Sequence, residues 1–187
     1  MSDELKNKLK NNLYEKRYIH SLGVAEEAKR LAVIYGADEE KAYIAGLLHD
    51  CAKKFTPDEQ LDVCKKLGVE LDEYAKLCIP IVHSFLGVEI ARTEYGINDV
   101  EILNAIKYHT VGRAGMTLLE KIIYIADITE AGRDFEGVDE LRRLVDKDLT
   151  AAIIKSVEFE LKRNSQRQSI IHPNMIYMWN DIVLNRD

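Results

Sequence analysis

The sequence has 187 residues, and its 26 Lys and Arg against 32 Asp and Glu give a net charge of −6, which argues against a non-specific nucleic-acid binder. The length suits one domain with a real hydrophobic core, while no stretch approaches the roughly 18 to 20 apolar residues of a membrane span. Because the first residues also lack the basic start and apolar core of a signal peptide, we expect a cytoplasmic protein without nucleic-acid or membrane partners. Cys51, Cys64 and Cys78 show no CxxC spacing, so we interpret them as reduced thiols.

Helical patterns follow one another along nearly the whole chain. Apolar residues recur at spacings of three and four from Leu22 to Tyr35, where Gly36 ends the first clear helix. Further helices are predicted near residues 38–50, 57–67, 83–95, 138–145, 148–163 and 173–184. Capping boxes mark helix starts at Thr56-Pro57-Asp58-Glu59, Asn98-Asp99-Val100-Glu101 and Thr117-Leu118-Leu119-Glu120. Since no convincing strand pair occurs, we predict an all-α fold, a single compact helical bundle.

Six side chains of the types that bind metals stand beside apolar helical runs. They are His20, His49, Asp50, His83, His109 and Asp127. Burying an imidazole or a carboxylate without a partner costs several kcal/mol, so the adjacent pair after Leu47-Leu48 needs compensation nearby. A single histidine is more often structural or exposed than a ligand, but the ordered set on different helices favours a metal site. Imidazoles and carboxylates together suit Mn, Fe, Co, Ni or Zn better than Mg or Ca.

The ordered set resembles the HD-domain metal-dependent phosphohydrolases, and more closely the YqeK family of bacterial symmetrical diadenosine tetraphosphatases. The similar segments are Arg17-Tyr18-Ile19-His20-Ser21, the doublet His49-Asp50, His83-Ser84-Phe85-Leu86-Gly87, Tyr108-His109-Thr110-Val111-Gly112, Tyr124-Ile125-Ala126-Asp127 and the loop from Gly132 to Val138. The resemblance covers nearly the whole chain. It implies that residues 1–187 form a single HD-type phosphohydrolase domain, a helical HD-domain bundle.

The resemblance also implies two divalent transition-metal ions, with Fe as our first choice and Mn, Co, Ni or Zn as alternatives. We assign His20, His49, Asp50 and Asp127 to one metal, and His83 with His109 to the second, with Asp50 bridging. A hydroxide held between the two ions would attack diadenosine tetraphosphate and release two ADP. The residues expected to carry catalysis are Asp50, Lys53, His83 and His109.

Four residues are candidates for binding the substrate, each with an ordinary structural alternative. Lys53 lies three residues beyond Asp50, so it lies on the same metal-facing side of the helix if the helix continues that far. Otherwise it is a solvated lysine. Arg133 would bind two phosphate oxygens through its guanidinium group, or else form a surface salt bridge. Thr110 would offer its hydroxyl to a phosphate or simply end a helix, and Arg17 would order a carboxylate, touch the substrate or lie on the surface. His172 is expected to be structural or at the rim of the nucleotide site.

Three questions stay open at this level. The substrate is expected to be a small-molecule dinucleoside polyphosphate, and the enzymatic alternative is another nucleotide, such as a mononucleotide, a deoxynucleoside triphosphate or a guanosine alarmone. A different class of alternative is a non-catalytic nucleotide sensor in which metal only stabilises the bundle. The sequence does not locate the residues that recognise adenine. It also leaves open whether the protein forms a homodimer.

Overall fold

Helices account for nearly every apolar segment of residues 2–185, the part of the chain that the computed structural model describes. In chain order they are α1 (Ser2–Asn12), α2 (Glu15–Tyr35), α3 (Glu39–Leu48), α4 (Pro57–Leu67), α5 (Glu73–Leu77), α6 (Val82–Tyr95), α7 (Val100–Tyr108), α8 (Leu118–Thr129), α9 (Val138–Val145), α10 (Leu149–Gln166) and α11 (Pro173–Leu184). Two short 3₁₀ turns, Cys51–Lys54 and Ile79–Ile81, precede α4 and α6. No strand occurs within residues 2–185, which confirms the all-α prediction.

Capping side chains set the helix starts, mostly as the sequence predicts. Thr56 and Thr117 each form a complete capping box with the Glu three residues later. The box predicted at Asn98 is wrong by one residue, because the side chain of Asp99 accepts the backbone N–H of Glu101 at 2.9 Å and caps α7 instead. A carboxylate one residue later reaches the free N–H groups of the first turn equally well.

Two helices differ from their predicted ends, and two others were not predicted. Helix α3 ends at Leu48 and not at Asp50, whose backbone leaves the helical region at φ −107° and ψ 17°. Helix α10 continues to Gln166, three residues beyond its predicted end. Helices α1 and α5 have no counterpart in the prediction, although Leu5, Leu9 and Leu13 are spaced by four and are all buried.

A close approach between α2 and α3 places the first two histidines side by side. A Cβ atom on Gly46 would lie 2.9 Å from the Cα of Ala25 and 2.9 Å from the carbonyl oxygen of Val24, both backbone atoms of α2. Only glycine allows the two backbones to meet this closely. The rings of His20 and His49 consequently lie with their centroids 5.2 Å apart.

The remaining helices enclose this pair. Helix α8 packs on α2 and α3, and α7 packs between α3, α6 and α8. Helices α9 and α10 cover the other side of α8, and α11 packs on α10. One continuous apolar core extends from Leu5 to Ile182 through these helices, so the polar side chains at its centre are held by packed, rigid elements.

None of the helices in residues 2–185 is long and apolar enough to cross a membrane. Cys51, Cys64 and Cys78 are all free thiols, as predicted. Burial raises the pKa of the Cys51 thiol far above its usual value, so this side chain stays protonated and belongs to the core.

We predict that Gly46→Ala destabilises the protein although alanine is the better helix former. The new methyl group meets backbone of α2, which cannot move like a flexible side chain, so overpacking should cost about 1–3 kcal/mol. For a chain of this size that lowers the Tm by roughly 3–10 °C in a thermal melt. Glu26→Ala, on the exposed face of α2, is the control and should leave the Tm nearly unchanged. An unchanged Tm in Gly46→Ala would contradict the close helix approach.

Candidate metal centre

The six residues predicted as ligands meet at one point in the middle of the bundle. They form the His/Asp cluster: His20 in α2, His49 and Asp50 after α3, His83 in the first turn of α6, His109 after α7, and Asp127 in α8. Their nitrogen and oxygen atoms form three overlapping groups whose members lie within 4.8 Å of one another. The groups are His20-His49-Asp50, His49-His109-Asp127 and Asp50-His83-His109. The middle group links residues that the sequence analysis divided between two ions.

Three of the histidines use the same local hydrogen bond, in which Nδ1 donates to the carbonyl three residues earlier. The bonds are His49 to Gly46 at 2.7 Å, His83 to Pro80 at 2.8 Å and His109 to Ile106 at 2.7 Å. A carbonyl oxygen can only accept, so Nδ1 carries the proton and Nε2 of the neutral ring keeps its lone pair. His49 and His109 follow the last residue of a helix, where such carbonyls lack intrahelical partners. Helix ends therefore turn these Nε2 atoms toward the cluster.

The Nε2 atoms face groups that do not satisfy them. Nε2 of His83 lies 3.1 Å from Nε2 of His109, although both rings donate through Nδ1. Burial lowers the pKa of His83 to about 4, so this ring is neutral at pH 7. Nε2 of His49 is buried without a hydrogen-bond partner among the described residues. Lone pairs that converge in this way need a cation between them, and nitrogen ligands with carboxylates fit a divalent transition metal.

Asp50 lies where it can serve both halves of the cluster. Its Oδ1 atom is 3.1 Å from Nε2 of His83, and its Oδ2 atom is 3.5 Å from Nε2 of His49. Burial opposes ionisation, but the surrounding imidazoles of His49, His109 and His83 hold the pKa of Asp50 well below its usual range. The carboxylate therefore stays charged at neutral pH and has one oxygen directed at each set of histidines.

Each cluster carboxylate also contacts an arginine that the sequence analysis assigned to the substrate. Arg17 donates from Nη1 to Oδ2 of Asp50 at 2.6 Å, one of the roles foreseen for it. Arg133 donates from Nε to the carbonyl oxygen of Asp127 at 2.6 Å and from Nη2 to the carboxylate of the same residue. Both side chains line the open cleft above the cluster, so their remaining donors face the space in which a ligand would lie.

Lys53 reaches the same cleft by a different route from the one predicted. The helix does not continue past Leu48, and Lys53 instead lies on the 3₁₀ turn, where its N–H donates to the carbonyl of Asp50 at 2.9 Å. The turn brings Lys53 to the lining of the cleft beside Asp50. Burial lowers the pKa of Lys53 below its usual value, which identifies it as a partly desolvated ammonium group and not a fully solvated one.

Thr110 is at the cleft, but its hydroxyl proton is already in use. Its hydroxyl donates to Oγ of Ser84 at 3.1 Å, and Ser84 in turn donates to the carbonyl of Ile81 at 2.8 Å. A phosphate oxygen would have to compete with Ser84 for that proton. This chain of bonds ties the end of α7 to the start of α6, in agreement with the alternative that Thr110 belongs to a helix terminus.

His172 has a structural role in the described chain. It is the N-cap of α11, where its Nδ1 accepts the N–H of Asn174 at 3.2 Å, and its Nε2 donates to Asp72 at 3.0 Å. It also lines the cleft. Its bonds therefore fix the helix that closes this side of the cleft.

The cleft has a second wall that the sequence analysis did not identify. The volume of the cleft is about 590 Å³, and Asp50, His83, His109 and Asp127 of the cluster form its floor. The lining that we call the far wall comprises Phe135, together with Phe159 and Arg163 of α10, and Arg167 just after the last residue of α10. The last three of these residues are spaced by four, a signal present in the sequence. The spacing alone could not show that this face of α10 lies above Asp127.

Comparison with known proteins agrees with this geometry. The pattern of the HD domain matches residues 17–132, which include the whole His/Asp cluster. A relative from Bacillus subtilis (strain 168), named symmetrical bis(5'-nucleosyl)-tetraphosphatase, is 40% identical over 178 residues, which is 94% of this chain and 94% of that protein. A relative of the same name from Staphylococcus aureus (strain NCTC 8325 / PS 47) is 45% identical over 142 residues, 75% of this chain and 72% of that protein.

A solved structure shares the complete fold. The crystal structure of a predicted HD superfamily hydrolase involved in NAD metabolism from Clostridium acetobutylicum has a TM-score of 0.92 to this chain at 44% identity. The match covers 100% of this chain and 98% of that one. This chain therefore belongs to the HD-domain family and, within it, to the YqeK family of bacterial symmetrical bis(5'-nucleosyl)-tetraphosphatases.

Proposed function

We propose that this chain is a metal-dependent hydrolase that cleaves diadenosine tetraphosphate symmetrically into two ADP. The observation that carries the proposal is the His/Asp cluster at the floor of a cleft lined by Arg17, Lys53 and Arg133. Relatives named for this activity resemble the chain over 75% and 94% of its length. Their names favour the tetraphosphatase over the other nucleotide substrates and over a non-catalytic sensor.

The His/Asp cluster is proposed to hold two divalent ions, with Fe as our first choice. The overlap of the three donor groups supports two neighbouring positions that share Asp50. We keep His20, His49, Asp50 and Asp127 for the first position, and His83 and His109 for the second. When bound, such ions would lower the pKa of a water ligand and so supply hydroxide at neutral pH.

The protein's own side chains are proposed to position the substrate for this hydrolysis. Lys53 and Arg133 line the cleft beside Asp50 and Asp127 and would bind the oxygens of the phosphoryl group under attack, where negative charge develops. Arg17 holds Asp50 through Oδ2 and thereby fixes the direction of its two oxygens. The departing ADP takes one proton from solvent, and the attacking water contributes its oxygen to the other ADP.

The far wall is proposed to hold the nucleoside end of the bound half. Phe135 and Phe159 offer aromatic faces on which an adenine can stack, and Arg163 and Arg167 add positive charge to the same lining. Arg163 is paired with Glu160, whereas Arg167 forms no ion pair within residues 2–185. If the distance from this wall to the cluster matches a nucleoside diphosphate, attack falls on the central bridge of the tetraphosphate.

Hydrolysis in oxygen-18 water should identify the bond that breaks. Symmetrical cleavage yields ADP alone, and one ADP of each pair should carry a single oxygen-18 on its terminal phosphoryl group. Chromatography with mass spectrometry of the products measures both. Formation of ATP with AMP would contradict attack at the central bridge of the tetraphosphate. Absence of turnover with Fe, Mn, Co, Ni and Zn would favour the nucleotide sensor.

Substitutions in the cluster should separate the two metal positions. Asp50→Ala removes the proposed bridge, so hydrolysis should be lost and metal content should fall toward zero by elemental analysis. His83→Ala should instead lower metal content by about half, because only the second position loses its ligand. Asp146→Ala, an exposed aspartate paired with Arg30, is the control and should keep full metal content and activity. A His83→Ala protein with both metals would show that our ligand division is wrong.

Arg167→Ala should weaken substrate binding more than catalysis. The side chain is exposed, lines the cleft and does not belong to the cluster, so we expect KM to rise about fivefold, close to 1 kcal/mol, with kcat nearly unchanged. Arg143→Ala removes an exposed arginine of α9 that does not line the cleft and should change neither constant. Equal KM values in the two variants would exclude Arg167 from the substrate-binding wall.

A further inference from the structure

Glu130 is a buried carboxylate that the mechanism above does not use. It follows the last residue of α8 and is only 4% exposed. Its Oε1 atom lies 3.0 Å from Nδ1 of His20, and its Oε2 atom accepts the N–H of Gly132 at 2.6 Å. The Gly132 N–H can only donate and the oxygens of a carboxylate can only accept, so both contacts are hydrogen bonds when His20 donates from Nδ1.

His20 needs this partner because it lies inside a helix. The other three cluster histidines donate Nδ1 to a backbone carbonyl, but carbonyls in the middle of α2 already accept intrahelical bonds. The bond to Glu130 places the His20 proton on Nδ1 and leaves Nε2, 3.0 Å from Oδ1 of Asp127, with its lone pair toward the cluster. Nε2 forms no hydrogen bond of its own in the described chain.

The surrounding backbone makes room for this carboxylate. A Cβ atom on Gly23, one turn after His20, would lie 2.5 Å from Oε2 of Glu130, and one on Gly132 would lie 3.0 Å from the same oxygen. The carboxylate is therefore seated in a gap between two glycines. The backbone carbonyl of Glu130 also accepts hydrogen bonds from the N–H of Arg133 at 3.0 Å and from Nη2 of Arg142 at 2.8 Å.

We infer that Glu130 is a positioning residue that fixes the metal-binding nitrogen of His20 and ties it to the loop that carries Arg133. This inference rests on the metal centre of the proposed function. Arg133 and Glu130 belong to one short turn after α8, in which the backbone N–H of Arg133 donates to the carbonyl of Glu130. The residue that orients His20 therefore also fixes the backbone position of Arg133. Metal affinity at His20 and the placement of a phosphate-binding arginine are thereby linked through one side chain.

Binding of Mn²⁺ to the metal-depleted full chain, measured by calorimetry with MnCl₂ alone, tests the inference without any turnover. In Glu130→Gln the amide can accept only one of the two bonds, and either His20 or the Gly132 N–H loses its partner. We expect Mn²⁺ affinity to fall about 10- to 100-fold, the usual effect of losing an outer-shell partner of a ligand. Gly23→Ala should weaken binding in the same direction, because its methyl group displaces the carboxylate while every ligand remains.

Glu120→Gln is the matched control. Glu120 is a carboxylate of α8 with 1% exposure, and it bonds Arg113 and the N–H of Thr117 at the opposite end of the helix. This variant should lose stability in a thermal melt but keep the Mn²⁺ affinity of the wild type. ¹⁵N NMR of the His20 ring should show the proton on Nδ1 in the wild type and a changed tautomer mixture in Glu130→Gln.

The outcomes separate the inference from the proposed function. If the wild type binds Mn²⁺ and Glu130→Gln binds it equally well, the positioning role is wrong and the metal centre stands. If Glu120→Gln weakens binding as much as Glu130→Gln, the effect is general destabilisation and the positioning role is again wrong. If the wild type binds no Mn²⁺ and no other divalent transition metal, the metal centre and the inference both fail.

Discussion

The site depends on hydrogen bonds that direct the Nδ1 proton of each cluster histidine away from the cluster. Three rings donate to backbone carbonyls and His20 donates to Glu130, so all four Nε2 atoms point inward. Nitrogen lone pairs 3.1 Å apart, as in His83 and His109, repel each other unless a cation lies between them. A metal bound at these converging nitrogens would satisfy their lone pairs and would in turn stabilise the folded chain.

Helix ends explain why apolar helices lead directly into metal-type residues. His49 and His109 stand one residue beyond α3 and α7, where free carbonyls accept the Nδ1 protons. These helix ends also carry the negative pole of the helix dipole, which favours a cation nearby. Asp127 lies in the last turn of α8, so a third helix directs its C-terminal end to the same place. The close contact at Gly46 completes the arrangement, because it places His20 against the end of α3.

The sequence predicts the features that depend on local chemistry. Caps at Thr56 and Thr117 fix helix starts, and the six cluster residues are recognisable from their types and their apolar context. Features that depend on how helices pack are not predictable in this way. Glu130 looks like any loop glutamate until Gly23 of α2 is known to leave a gap for it. The charges of α10 resemble a solvated face, since only the packing of α10 on α8 brings Arg163 and Arg167 above the cluster.

Charge balance connects the cluster with the kind of ligand it would take. Asp50 and Asp127 are matched by Arg17 and Arg133, while the four imidazoles are neutral when they act as ligands. Two further carboxylates lie nearby, Glu130 beside His20 and Glu160 in the cleft lining, and Lys53, Arg163 and Arg167 offset them. Divalent cations would therefore make the cleft positive, although the whole chain is acidic at −6, and an anionic ligand would neutralise that charge. A polyphosphate meets this requirement along its length, whereas a neutral substrate would leave the charge of the floor uncompensated.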